Sequence, residues 1–106
     1  MDMISKNGCL IVSFDQDIDE ASYGKVKEEI DNAYKTTNSN KLVFDFNKTK
    51  NISDNTLNLT LGRFKRVSES NGQMYITNAK GNTDKILNMH GVYNIVPNVK
   101  LNDLLK

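Results

Sequence analysis

The sequence has one cysteine, one histidine, one proline and no tryptophan in 106 residues. A lone Cys9 excludes an intramolecular disulfide, so no cystine framework holds this chain together. With Cys9 and His90 as the only soft ligands, a nitrogen- and sulfur-ligated metal centre is excluded, and no nucleophile can be paired with a base. The expectation is therefore no catalytic residue, no metal and no cofactor. Cys9 opens an apolar segment and reads as an inert buried thiol. His90 reads as a helix-end residue, where an imidazole suits the negative end of the dipole.

Long apolar runs are missing too. The longest, Cys9 to Val12 and Leu42 to Phe44, fall far below the roughly 20 residues that span a bilayer. No segment with a basic start, an apolar middle and a small-residue cleavage site opens the chain. A cytoplasmic protein is expected, with no membrane contact. Net charge is nearly absent: 14 Lys and Arg face 13 Asp and Glu, so no broad field draws nucleic acid or an anionic surface. Neither a Gly-x-Gly-x-x-Gly string nor a P-loop is present, which removes the usual nucleotide fingerprints.

What the chain does have is globular: 38% hydrophobic and 25% charged residues, with four Tyr and four Phe. At this length folding removes about two-thirds of the unfolded surface from water, enough for one core, so residues 1–106 are expected to form a single domain. Asn7-Gly8 is a strong hairpin signal and should pair Met1 to Lys6 with Cys9 to Phe14. Tyr23, Val26, Ile30, Ala33 and Tyr34 recur at helical spacing, predicting an amphipathic helix over 20–35 that Thr36 to Asn40 ends. Lys41 to Phe46 is too short and apolar for a surface helix and reads as a buried strand. A second helix follows, capped by Ser53 or Asp54, with Leu57, Leu61, Phe64 and Val67 facing inward and Arg63, Lys65, Arg66 and Glu69 left to solvent.

Asn71-Gly72 stops that helix. Gln73 to Thr77 reads as a strand, and Asn82 to His90 as a helix with Ile86 and Leu87 inward and Gly91 as its left-handed cap. Tyr93 to Val96 is expected as a last strand ended by Pro97, and Leu101, Leu104 and Leu105 as a turn packing back on the sheet. Strands alternating with helices imply an α/β fold with parallel crossovers. Asp15, Asp17, Asp19 and Glu20 form an acidic turn before the first helix. The Asp spacing resembles the start of a calcium loop, but Glu20 stands where the loop requires glycine, so capping and a partner-facing surface are favoured over a cation.

Several short strings occur in the order and spacing of a known family. Gln16-Asp17-Ile18-Asp19 is similar to a Gly-Glu-Leu-Asp turn, and Leu42-Val43-Phe44-Asp45-Phe46 to a Leu-Val-Leu-Asp-Leu strand. Leu61-Gly62-Arg63-Phe64-Lys65 nearly repeats Leu-Gly-Arg-Tyr-Lys. Asn71-Gly72-Gln73-Met74, Met89-His90-Gly91 and Ile95-Val96-Pro97 follow in register. Over nearly its whole length the chain resembles the STAS domain of bacterial anti-sigma-factor antagonists. The resemblance implies a mixed sheet of four or five strands with three or four helices.

It also implies a binding protein that docks on an anti-sigma factor, a serine kinase with an ATPase-type fold, and so frees a sigma factor for transcription. The surface implied is the turn holding Asp17 and Asp19 and the helix start Ser53, Asp54, Asn55, Thr56, Leu57 and Asn58. In the family this helix start reads Asp-Ser-Ser-Gly-Leu-Gly, and its second serine is phosphorylated to end the docking. Here Asn55 occupies that position and cannot be phosphorylated. Ser53 and Thr56 are the nearby hydroxyls that could substitute, and Asp54 either caps the helix or imitates the charge of a modified state. The missing serine leaves room for a second reading, a STAS scaffold or regulatory subunit of a signalling or transport complex that needs no phosphorylation.

Overall fold

A computed structural model describes all 106 residues. Its elements are β1 (Asp2–Lys6), β2 (Cys9–Ser13), α1 (Glu20–Thr36), β3 (Lys41–Asp45), α2 (Asp54–Glu69), β4 (Gln73–Thr77), α3 (Gly81–Met89), a 3-10 turn (Val92–Asn94) and α4 (Leu101–Leu104). The strands form one mixed sheet in the order β1-β2-β3-β4, with β1 antiparallel to β2 and the other pairs parallel. Asn7 and Gly8, at φ 52 and 79, make the expected hairpin turn, which needs positive φ at both positions. No helix is long and apolar enough to cross a membrane.

The period of two along each strand divides the sheet into two faces. Leu10, Val12, Leu42, Phe44, Met74 and Ile76 point into the main core, joined there by Ile30, Leu59 and Leu87 from the helices. Phe14, Phe44 and Phe46 pack ring on ring at the end of this core, with centroids 4.9 Å and 5.6 Å from Phe14. Cys9, Ile11 and Val43 point the other way and are covered by Leu101, Leu104 and Leu105. The final turn therefore packs on the sheet as expected. β1, exposed along its length, is an uncovered edge.

Two expectations are overturned. Tyr93 to Val96 is not a strand: Gly91 turns left-handed at φ 68, and Ile95 and Val96 donate back to the Val92 carbonyl, closing a 3-10 turn. Extended pairing begins only at Pro97, whose carbonyl accepts from Ile76 N–H; Val99 N–H then donates to Ile76 O, around a single bridge between Ile76 and Asn98. Proline starts this pairing because only its carbonyl is needed.

The inward face of α2 also differs. Thr56, Leu57, Leu59, Thr60, Arg63 and Val67 are its buried residues, while Leu61 and Phe64 are half-buried at the margin. Arg63, expected in solvent, is 6% exposed. Its charge is tolerated there because Asp31 of α1 lies 3.2 Å from its Nε.

Candidate functional site

The parallel strands β2 and β3 end side by side, and the segment after each runs into a helix. Asp17 and Asp19 lie in the first segment, and the N-terminus of α2 closes the second. The two are tied together by one carboxylate oxygen. Asp17 Oδ1 accepts from Ile18 N–H at 2.9 Å, Ser53 N–H at 3.1 Å, Ser53 Oγ at 3.2 Å and Thr56 Oγ1 at 2.6 Å. Burial alone would raise the Asp17 carboxyl pKa, but these donors outweigh it and hold the group below the usual carboxylate range.

Asp19 serves its own helix. It is the N-cap of α1, accepting from Ser22 N–H at 2.8 Å and from Ser22 Oγ at 2.7 Å, and the same two donors lower its pKa. Ser53 occupies the N-cap position of α2, as one of the two expected caps, yet its side chain makes no cap hydrogen bond and turns to Asp17 instead. Asp54 stands exposed in the first turn of α2, where the helix dipole favours an anion.

The chain thus brings Asp17, Ser53 and Thr56 into direct contact, with Asp19, Asp54 and Asn58 exposed around them and Asn55 half-exposed on the same helix turn. Leu57 faces the core at 7% exposure. Thr56 is 2% exposed. Of the two hydroxyls nearest the family's modified position, therefore, Thr56 is buried and engaged and Ser53 is the accessible one.

A second layer, missed in the sequence, fixes the loops at this end. Asp45 accepts from Asn47 N–H at 3.0 Å and from Asn78 Nδ2 at 3.1 Å, so the ends of β3 and β4 are held by one side chain. Thr49 donates to Phe14 O at 2.7 Å and Thr83 donates to Thr49 O at 2.9 Å, both buried. The available signal was Asp45, a carboxylate closing an otherwise apolar strand.

A family model described as STAS domain matches residues 1–103. The chain is 23% identical over 97 residues to a Paenibacillus polymyxa protein named anti-sigma F factor antagonist, covering 92% of this chain and 83% of that one. Among solved structures it is similar to the anti-sigma factor antagonist SpoIIAA in its unphosphorylated form, with a TM-score of 0.81 at 12% identity over 97% of this chain and 90% of that chain. It is also similar to an anti-sigma factor antagonist from Mycobacterium paratuberculosis, with a TM-score of 0.79 at 17% identity over 95% and 86%. These two likenesses concern the fold, whereas the family match rests on the sequence itself. This chain belongs to the STAS domain family.

Proposed function

We propose that this protein is an anti-sigma-factor antagonist that binds an anti-sigma factor through the Asp17–Asp19 turn and the start of α2. The observation that carries the reading is the Asp17 cluster. Of the four hydrogen bonds on one oxygen, three cross from the α2 start to the Asp17 turn and hold the two segments in one surface, and preorganisation of this kind lowers the ordering cost of docking. Similarity to a protein named anti-sigma F factor antagonist supports the class of partner. The protein acts in the cytoplasm, by contact and without catalysis, as a single folded unit.

The partner is an anti-sigma factor of the serine-kinase, ATPase-fold type. Asn55 has no hydroxyl, so docking is not ended by phosphorylation at that position; phosphopeptide mapping after incubation with partner and ATP checks this, and stoichiometric label on Ser53 would place the switch there. The second reading, a scaffold or regulatory subunit that is never modified, is favoured by the same Asn55 and by the buried, engaged Thr56 hydroxyl. Proteins recovered with the tagged chain from its native cell separate the two readings.

Calorimetric titration against the recovered anti-sigma factor tests the surface itself. Asn55→Asp places an unpaired, desolvated charge in the interface and weakens binding by about 2 kcal/mol or more, a factor of roughly 30. Lys27→Ala, on the exposed face of α1, leaves affinity unchanged. Equal affinities for wild type and Asn55→Asp would move the docking site elsewhere.

A further inference from the structure

A groove of about 870 Å³ runs between the C-terminal halves of α1 and α2, and its lining includes Asn40 and Gly72, the residues just before β3 and β4. It therefore lies at the opposite end of the parallel strands from Asp17 and Ser53. Its wall contains the buried Arg63. A guanidinium stays charged at any accessible pH and carries five N–H donors in one plane. Here a single carboxylate is shared between two guanidinium groups: Asp31 lies 3.2 Å from Arg63 Nε and 3.7 Å from Arg66 Nε. Arg63 Nε is within ion-pair reach but outside hydrogen-bond geometry, and Nη1 has no protein acceptor, although the side chain is 7% exposed.

Had Arg63 served only to clamp α1 to α2, Asp31 would be expected to engage its fork. Instead Nε and Nη1 stay without a hydrogen-bond partner and shut off from solvent beside a groove where Lys35, Arg63, Lys65 and Arg66 outnumber Asp31 and Glu69, four cations to two carboxylates. Desolvated, unpaired donors of this kind are costly, so a turn of the side chain that presents them to an acceptor in the groove is favoured. A planar fork with flanking ammonium and guanidinium groups suits a phosphate, which takes bidentate, charge-assisted hydrogen bonds.

The rest of the lining indicates what the phosphate is attached to. Only four of 17 lining residues are hydrophobic and Tyr34 is the only aromatic among them, so no pair of rings is present to sandwich a base. Asn32, Ser39, Asn40 and Ser70 offer amides and hydroxyls instead, the groups that pair with sugar hydroxyls. We propose that the α1–α2 groove is a binding site for a small phosphorylated sugar or polyol, with Arg63 holding the phosphate and Lys35 and Arg66 closing over it from the rim.

The test is a titration of the full chain followed by backbone amide resonances, with glucose 6-phosphate, inorganic phosphate, adenosine monophosphate and glucose as separate probes. Glucose 6-phosphate produces saturable shifts at Asp31, Gly62 and Ser70 and none at Ser53 or Asn55. Inorganic phosphate binds the same place more weakly, and glucose does not bind. Lys35→Gln and Arg66→Gln, both at exposed positions, each weaken binding about fivefold, the scale of one exposed charge contact, while the unfolding midpoint stays put. Arg63→Lys keeps the charge and loses the fork, and binding falls at least as far.

Shifts centred on Ser53, the absence of saturable shifts, or rim variants that bind as well as wild type would overturn the site. Equal affinity for inorganic phosphate and glucose 6-phosphate, or tighter binding of adenosine monophosphate, would overturn the ligand class. If Arg63→Lys fails to fold, the two rim variants decide the matter alone.

Discussion

The Thr56 hydroxyl donates to Asp17 Oδ1 at 2.6 Å across 39 residues of sequence, and Thr56 itself is 2% exposed. A buried hydroxyl and a surface carboxylate thus meet where two loops must be held together. Removing the acceptor strands several donors, whereas removing one donor leaves three others on the same oxygen. Asp17→Ala is therefore expected to destabilise by about 1–3 kcal/mol and Thr56→Val by about 1 kcal/mol, measured by urea unfolding. The double variant should lose less than the sum of the two. Strict additivity would mean that the contact does no energetic coupling.

Asp17 also sets a pH dependence. Although its partial burial opposes ionisation, the hydrogen bonds from Thr56, Ser53 and Ile18 win, so its folded pKa lies below the unfolded value. The carboxylate's contribution is then fully present above the unfolded aspartate value of about 3.9 and is lost as pH falls through the lower folded value. Stability measured from neutral pH down into that acidic window should drop more steeply for wild type than for Asp17→Asn. Identical slopes would show that the group titrates alike in both states.

Two glycines predict opposite signs. A Cβ on Gly72 would collide with the Tyr34 hydroxyl and lie 2.8 Å from Val67 Cγ1, so Gly72→Ala should destabilise by about 1–3 kcal/mol. Gly24 sits inside α1 with nothing within 4 Å of an added Cβ, and Gly24→Ala should stabilise by about 0.5–1 kcal/mol. Thermal unfolding of the two variants reads both signs directly.

The inward face of α2 gives a third stability comparison. Leu59 is fully buried, so Leu59→Ala should cost about 2–5 kcal/mol. Leu61→Ala and Phe64→Ala, at half-buried positions, should each cost less than Leu59→Ala. The reverse order would mean that the helix is rotated about its axis.

What the sequence made legible was local. Asn7-Gly8, the apolar run Leu42 to Phe44 and the stop at Asn71-Gly72 each carry their instruction within a few residues, and each forms the element expected of it. The face of α2 was not, because hydrophobic periodicity scores Thr56, Thr60 and Arg63 as solvent residues. They are buried because each finds a partner: Thr60 donates to Thr56 O at 2.8 Å, Thr56 to Asp17, and Arg63 pairs with Asp31. Two of those partners lie in other elements, beyond the reach of any local pattern. Tyr93 to Val96 failed for a different reason, since an apolar run this short fits a strand and a single helical turn equally well. In the site, the sequence marks both Ser53 and Asp17, but the three hydrogen bonds that reach Asp17 from Ser53 and Thr56 depend on how two loops end side by side.

Cys9 lies beneath α4 with its Sγ 3.9 Å from Leu104 O, and Asn7 Nδ2 donates to Leu105 O at 2.9 Å from 98 residues away. Leu101 and Leu104 of this four-residue helix and Leu105 after it, all only half-buried, cover Cys9, Ile11 and Val43 on that face of the sheet. Since this is the only thiol in the chain, a thiol reagent added to the folded protein reacts at one place, at a rate set by how often the turn lifts away. When reclosing outpaces reaction, the ratio of that rate to the rate for the unfolded thiol is the equilibrium constant for opening. The molecule thus carries its own clock for the detachment of its C-terminal turn, legible by alkylation without any label or substitution.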